Sequence, residues 1–224
     1  MAAREGDLEI LKILLDKNPE AFKSKSKNGR SPLHTACLSG HVDVAKLIIG
    51  LDFNALDQRD TCGATPTMEA VRGGHTSLVQ YLAIKNPQSL CKVDILNRNC
   101  LHLAAESGHG DLVRFLVNDL QMDINAGPIT PLHWAAKEGQ SDTIKTLLEL
   151  GADPHRVDEA RRPPLALAIG GQHVKATEVL LQNTDLNPFD LKLLALAKTP
   201  EMKRNLQVLF KTQWNLLLYL PGTD

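Results

Sequence analysis

Apolar residues return at helical spacing in short bursts along this chain, and glycine or polar turns end each burst. Val42, Val44, Leu47 and Ile48 fall on one face of a helix, as do Ile144, Leu147 and Leu148. Each burst follows a shorter run of small residues (HTAC, HLAA, HWAA) that stops at Gly40, Gly108 or Gly139. Glycine at such a point adopts the left-handed conformation that terminates a helix. The pattern predicts pairs of short helices. No pair is large enough to bury its own apolar face, so each has to stack on the next.

The pairs are copies of one another. RSPLHTACLSGHVDVAKLII, ATPTMEAVRGGHTSLVQYLA, NCLHLAAESGHGDLVRFLV, ITPLHWAAKEGQSDTIKTLL and RPPLALAIGGQHVKATEVLL align without gaps. Pro32, Pro66, Cys100, Pro131 and Pro164 share one position, at spacings of 34, 34, 31 and 33 residues. Ser31, Thr65 and Thr130 stand where a hydroxyl caps a helix, worth ~1 kcal/mol. The prolines follow at the first helical position, where no amide hydrogen is missed. A period near 33 with a T-P-L-H start resembles the ankyrin repeat.

That resemblance implies an all-α ankyrin-repeat solenoid of helix-turn-helix units joined by β-hairpin-like loops. The expected organisation is a partial first unit at 1–23 and then units at 24–57, 58–91, 92–122, 123–155 and 156–188. Residues 189–224, in which the motif is lost, are expected to form a divergent helical cap. The chain opens in mid-motif, so further repeats upstream are expected. The apolar WNLLLYL at 214–220 is expected to pack on the last repeat, docking to a partner being the alternative.

Composition narrows the function. With 25 Lys and Arg against 26 Asp and Glu, the chain lacks the positive excess of a nucleic-acid or membrane-surface binder. No apolar run approaches the ~18 residues of a membrane span. Cys37, Cys62, Cys91 and Cys100 contain no CxxC pair and read as reduced thiols, which points to the cytoplasm or nucleus. His34, His102 and His133 share one motif position with Met68 and Ala166. A catalytic histidine would not be copied into some stacked units and dropped from others, so these read as scaffold. No phosphate-binding loop, nucleophile elbow or zinc motif is present, and neither enzymatic activity nor a cofactor is expected.

What remains is protein binding by a monomer. Positions that stacking does not fix are free to meet a partner, and in ankyrin domains the equivalent positions line a concave groove. They are Lys27, Asn28, Arg30, Leu38, Arg72, Arg98, Glu106, Lys137, Glu138 and Arg162, with Trp134 as either inter-repeat packing or an interface anchor. Basic stretches at 23–31 and 156–162 suggest an acidic partner surface. Asn125, on a hairpin, resembles the asparagines of ankyrin proteins that undergo hydroxylation. Finally, REGDLEIL, SPLHTA, RDTCGAT, LHWAAKEGQSDTIKTLLELGAD and AIGGQH resemble a branch of the family that binds alanyl-tRNA synthetase and limits serine misincorporation. That resemblance implies such a partner, and Lys23 as an acceptor of misactivated serine. A general adaptor joining other proteins is the alternative.

Overall fold

The computed structural model describes residues 2–184 and 195–214, with side chains through 209. The chain folds into two compact units, 1–121 and 122–224. In the first unit, four helix pairs follow one another: α1 (Ala2–Glu5) with α2 (Leu8–Lys17), α3 (Pro32–Leu38) with α4 (Val42–Leu51), α5 (Pro66–Arg72) with α6 (Thr76–Lys85), and α7 (Cys100–Glu106) with α8 (Gly110–Asn118). Helix α3 packs between α1 and α5, and α5 packs in turn on α7. In the second unit, α9 (Pro131–Lys137) with α10 (Ser141–Glu149) precedes α11 (Pro164–Gly170) with α12 (Val174–Gln182), and α13 (Pro200–Trp214) follows. There α9 packs on α11, α10 on α12, and α13 on α12. No strand occurs among the described residues.

From α3 onward the first helix of each pair starts where the sequence predicts, at Pro32, Pro66, Cys100, Pro131 and Pro164. Ser31 and Thr65 cap α3 and α5, their hydroxyls accepting from the backbone N–H of His34 and Met68. Where the proline is lost at Cys100, Asn99 takes over and accepts from two N–H groups, those of Leu101 and His102. The core is aliphatic and fully enclosed: Leu33, Ile48, Leu78, Leu101 and Leu112 in the first unit, Leu132 and Ile144 in the second.

The histidines hold neighbouring repeats together in two series. In the first, His34 Nδ1 meets Ser31 Oγ at 2.8 Å while Nε2 meets the Ala64 carbonyl of the next repeat at 3.0 Å. His133 does the same with Thr130 (2.8 Å) and the Arg162 carbonyl (3.1 Å). Burial pushes the pKa of both rings below the ordinary histidine value, more strongly than their hydrogen bonds raise it. They are neutral struts, as the repeat argument required. Met68 takes the same place in its own repeat, its sulfur 3.5 Å from the Thr65 N–H.

The second series reaches back to the preceding repeat. Nε2 of His41, His75, His109 and His173 meets the carbonyls of Arg4, Leu38, Arg72 and Lys137 at 2.8–2.9 Å. Each ring lies against a glycine of that preceding repeat. A Cβ on Gly6, Gly40, Gly74 or Gly139 would stand 2.4–2.6 Å from ring atoms, and all four glycines have positive φ. At the last repeat the equivalent residue is Gln172, left-handed at φ 61°. Its side chain donates to the Leu196 carbonyl at 3.2 Å and accepts from the Thr199 N–H and hydroxyl. A glutamine thus replaces the glycine–histidine contact where the motif ends, and it fastens the segment leading into α13. Ala197, Met202 and Leu206 of this region are buried. The stretch 214–220 singled out in the sequence lies outside the residues whose side chains are described.

Candidate protein-binding surface

The hairpins before α5, α7 and α11 owe their shape to one acidic residue each, a place that Ser26 takes before α3, its hydroxyl accepting from the Arg30 N–H. Asp60 Oδ1 accepts from the N–H groups of Cys62 and Ala64, and Asp94 Oδ1 from those of Leu96 and Arg98. Asp158 Oδ1 accepts from the Arg162 N–H. Within the first unit successive hairpins are laced together, Thr61 N–H to the Asn28 carbonyl at 3.0 Å and Ile95 N–H to that of Cys62 at 3.1 Å. Lys27 and Asn28 are exposed here, and Leu38 is half-buried at the end of α3.

The second oxygens of these aspartates start a ladder of alternating charge in the first unit. Arg30 reaches Asp60 at 3.3 Å and Glu69 at 3.2 Å. Arg72 reaches Glu69 at 3.4 Å and Asp94 at 3.7 Å. Arg98 holds Asp94 at 2.7 Å and, with one nitrogen, both oxygens of Glu106 at 2.6 and 2.7 Å. The two enclosed carboxyls respond oppositely. At Glu69 burial outweighs the longer contacts to Arg30 and Arg72, so its pKa is raised. At Asp94 burial works in the same direction but is overcome by Arg98 and two backbone N–H groups, so its pKa is lowered. Arg30, Arg72, Arg98 and Glu106, expected from the sequence to face a partner, are therefore members of an internal network with Asp60, Glu69 and Asp94.

The second unit gathers three further candidates. Trp134, Lys137 and Arg162 line an open cavity of about 400 Å³ together with Leu167, Gly170 and Leu196. Trp134 is almost enclosed, yet its ring carries Lys137 Nζ at 4.6 Å from the centroid. Trp134 therefore packs between its neighbours while also contributing to the wall of the cavity. Glu138 lies beside Lys137 at 3.8 Å, with both side chains about half exposed. Arg162 folds back onto Asp158 through Nε and Nη2 at 2.9 and 2.8 Å. Burial alone would push Asp158 up, but Arg162 holds it below the ordinary carboxylate range.

The two modification candidates lie elsewhere. Lys23 ends a 3-10 turn (Pro19–Lys23), pairs with Glu20 at 2.6 Å and sits 5.5 Å from the Phe22 ring. The Glu20 contact raises its pKa and keeps the amine protonated, which opposes nucleophilic attack. Asn125 Oδ1 accepts from the Asp153 N–H at 3.0 Å, a bond to the following hairpin. Glu69, Asp60, Asp94 and Asp158 are the residues that sequence reasoning missed as a group. An aspartate four residues before an arginine at 94/98 and 158/162 was the available signal.

Among the described residues, no group of His, Cys, Asp and Glu is arranged to hold a metal ion. No described helix is long and apolar enough to cross a membrane. The fold is similar to that of the human ASB11 ankyrin repeat domain, with a TM-score of 0.74, 26% identity, and coverage of 93% of this chain and 95% of that one. In sequence the chain is similar to Rabankyrin-5 of Homo sapiens, 38% identical over 58 residues, and of Mus musculus, 37% over 57. These stretches are 26% and 25% of the chain and 5% of each relative, so the chain spans a small part of the rabankyrins it matches. The family model described as ankyrin repeats (3 copies) matches residues 1–93, 50–128, 85–158 and 101–190, and the chain belongs to the ankyrin-repeat family.

Proposed function

We propose that this chain is a protein-binding scaffold whose partner is alanyl-tRNA synthetase, and that it limits the misuse of serine for alanine. Ankyrin repeats serve as interaction scaffolds. The finer reading is carried by one observation: AAKEGQSDTIKTLLELGAD resembles the C-terminal half of ankyrin repeat domain-containing protein 16 at positions that stacking leaves free. Lys137 and Glu138 in that stretch are exposed, and Lys137 lines the cavity of the second unit. The chemistry gives such a partner a use, because an alanine pocket cannot strongly reject a side chain that merely adds a hydroxyl. The complex would form in the cytoplasm or nucleus. Lys23 is proposed as an acceptor of seryl groups only where the synthetase displaces Glu20 from it.

Calorimetric titration of the chain into alanyl-tRNA synthetase tests the proposal, with Lys137→Glu as the control. Micromolar or tighter binding that the variant weakens supports it, and absence of heat at these concentrations removes it. The alternative, a general adaptor, draws on the 26% identity to the ASB11 domain over nearly the whole chain, which speaks for a reusable scaffold.

A further inference from the structure

The repeats supply an internal comparison for the cavity of the second unit. Arg98 and Arg162 occupy the same motif position, each four residues after the aspartate that shapes its hairpin. Each forms the same pair with that aspartate. They differ on the other side. Eight residues after Arg98 comes Glu106, whose two oxygens close over the guanidinium and leave the Arg98 side chain 10% exposed. Eight residues after Arg162 comes Gly170, and a Cβ built there meets nothing within 4 Å. The Arg162 side chain is 54% exposed, and among the described residues Asp158 is the one carboxylate paired with it. The place that a glutamate fills in one repeat is open space in the other.

The surroundings fit the missing group. Lys137 stands on the same cavity, and Trp134, Ala166 and Leu167 give it an apolar floor. The hairpin carries Arg156, Arg161 and Arg162 exposed, against an exposed Glu159, while Asp158 is buried and already paired. An incoming carboxylate therefore meets an apolar wall and two half-exposed cations, Arg162 held by Asp158 and Lys137 at 3.8 Å from Glu138. We propose that this cavity takes an acidic segment of a protein partner, seating one carboxylate on Arg162 and Lys137 and the adjoining aliphatic side chain against Trp134 and Leu167. The proposal rests on reading the chain as a protein-binding scaffold, and it states the chemistry of the partner at one site.

Gly170→Glu is the discriminating variant. It supplies from within the carboxylate that the partner would bring, copies the Arg98–Glu106 arrangement, and leaves the Asp158–Arg162 pair of the hairpin untouched. The probe is a capped peptide alternating glutamate and leucine, with the glutamine–leucine version as control, titrated calorimetrically into the full chain. The glutamate peptide is expected to bind, the glutamine version to bind roughly tenfold more weakly, as a loss of about 1.4 kcal/mol implies. Gly170→Glu is expected to weaken the glutamate peptide by at least as much without lowering the melting temperature. Lys137→Glu, a half-exposed reversal, gives the same readout if Gly170→Glu folds poorly.

Equal affinity for the two peptides, or no binding of either, overturns the proposal, as does full affinity in the folded variants. Tighter binding of a short RNA oligomer, abolished by Gly170→Glu, also overturns it in favour of a phosphate site. Synthetase binding that survives Gly170→Glu removes the cavity and leaves the proposed function standing. Peptide binding without synthetase binding does the reverse.

Discussion

Replacing Gly40 by alanine tests how the repeats are held together. Two separate costs follow from the structure. Gly40 has φ 76°, and a residue with a Cβ in the left-handed region costs roughly 1–2 kcal/mol. The new Cβ would also stand 2.5 Å from the His75 ring, so the ring has to leave. With it goes the 2.9 Å contact between His75 Nε2 and the Leu38 carbonyl, worth about 0.5–1.5 kcal/mol. Gly40→Ala should therefore destabilise by ~1.5–3.5 kcal/mol, the strain and the lost contact together. His75→Ala alone loses the contact but not the strain. In the His75→Ala background Gly40→Ala has no ring to displace and should cost the strain alone, giving a coupling of about 1 kcal/mol between the two sites. Urea unfolding followed by far-ultraviolet circular dichroism measures all four corners of this cycle. Additive effects would refute the reasoning, since they would mean that the ring is not held by its place under the glycine.

Four further outcomes are expected. His34 and His133 have lowered pKa values, so the unfolded chain takes up their protons first as pH falls; their contribution to stability is complete above the ordinary value of about 6.5 and declines below it. Glu69, with a raised pKa, acts in the opposite sense at lower pH, so the comparison to make is unfolding between pH 7 and 5.5 for the native chain and His34→Met, whose loss of stability on acidification should be smaller. Glu69→Leu should cost under ~1 kcal/mol in urea unfolding, well below the ~3–5 kcal/mol usual for stripping one partner from a buried ion pair, because Arg30 keeps Asp60, Arg72 keeps Asp94 and three other repeats carry Leu or Trp at this position. Thiol alkylation should mark exposed Cys62 and Cys91 first and spare Cys37 and Cys100, whose pKa burial raises, to about 12 for Cys100; equal rates by mass spectrometry would contradict the packing of α3 and α7. Asn125→Ala should cost ~1 kcal/mol through the lost Asp153 contact, and treatment with an asparaginyl hydroxylase should add one oxygen to the native chain and none to the variant.

The framework was legible in the sequence because it is written in backbone terms that repeat. A hydroxyl before a proline, a run of small residues and a glycine at a fixed interval each restrict φ and ψ locally. Five aligned copies separate that restriction from chance. Ser31, Thr65, Gly40, Gly74 and the His34 and His133 struts all stand where the alignment put them. The cap residue Asn99 and the left-handed Gln172 show the limit of this kind of reading, since each performs the motif's task with a different side chain.

The binding surface was less legible, and the reason lies in the same alignment. Positions that vary between copies are free of the framework, but freedom from stacking is not freedom from neighbours. Arg30, Arg72, Arg98 and Glu106 vary because an ion ladder can be built in several registers, and each copy closes it differently. A sequence scanned for variable positions therefore collects ladder members and partner contacts together. Only the three-dimensional pairing separates Arg98, covered by the residue eight places on, from Arg162, where that place is glycine. A charged position in a repeat protein is best judged by whether its own repeat supplies the counter-charge at the equivalent site: beside Arg98 that site holds Glu106, whereas beside Arg162 it holds Gly170 and the guanidinium keeps Asp158 alone among the described carboxylates.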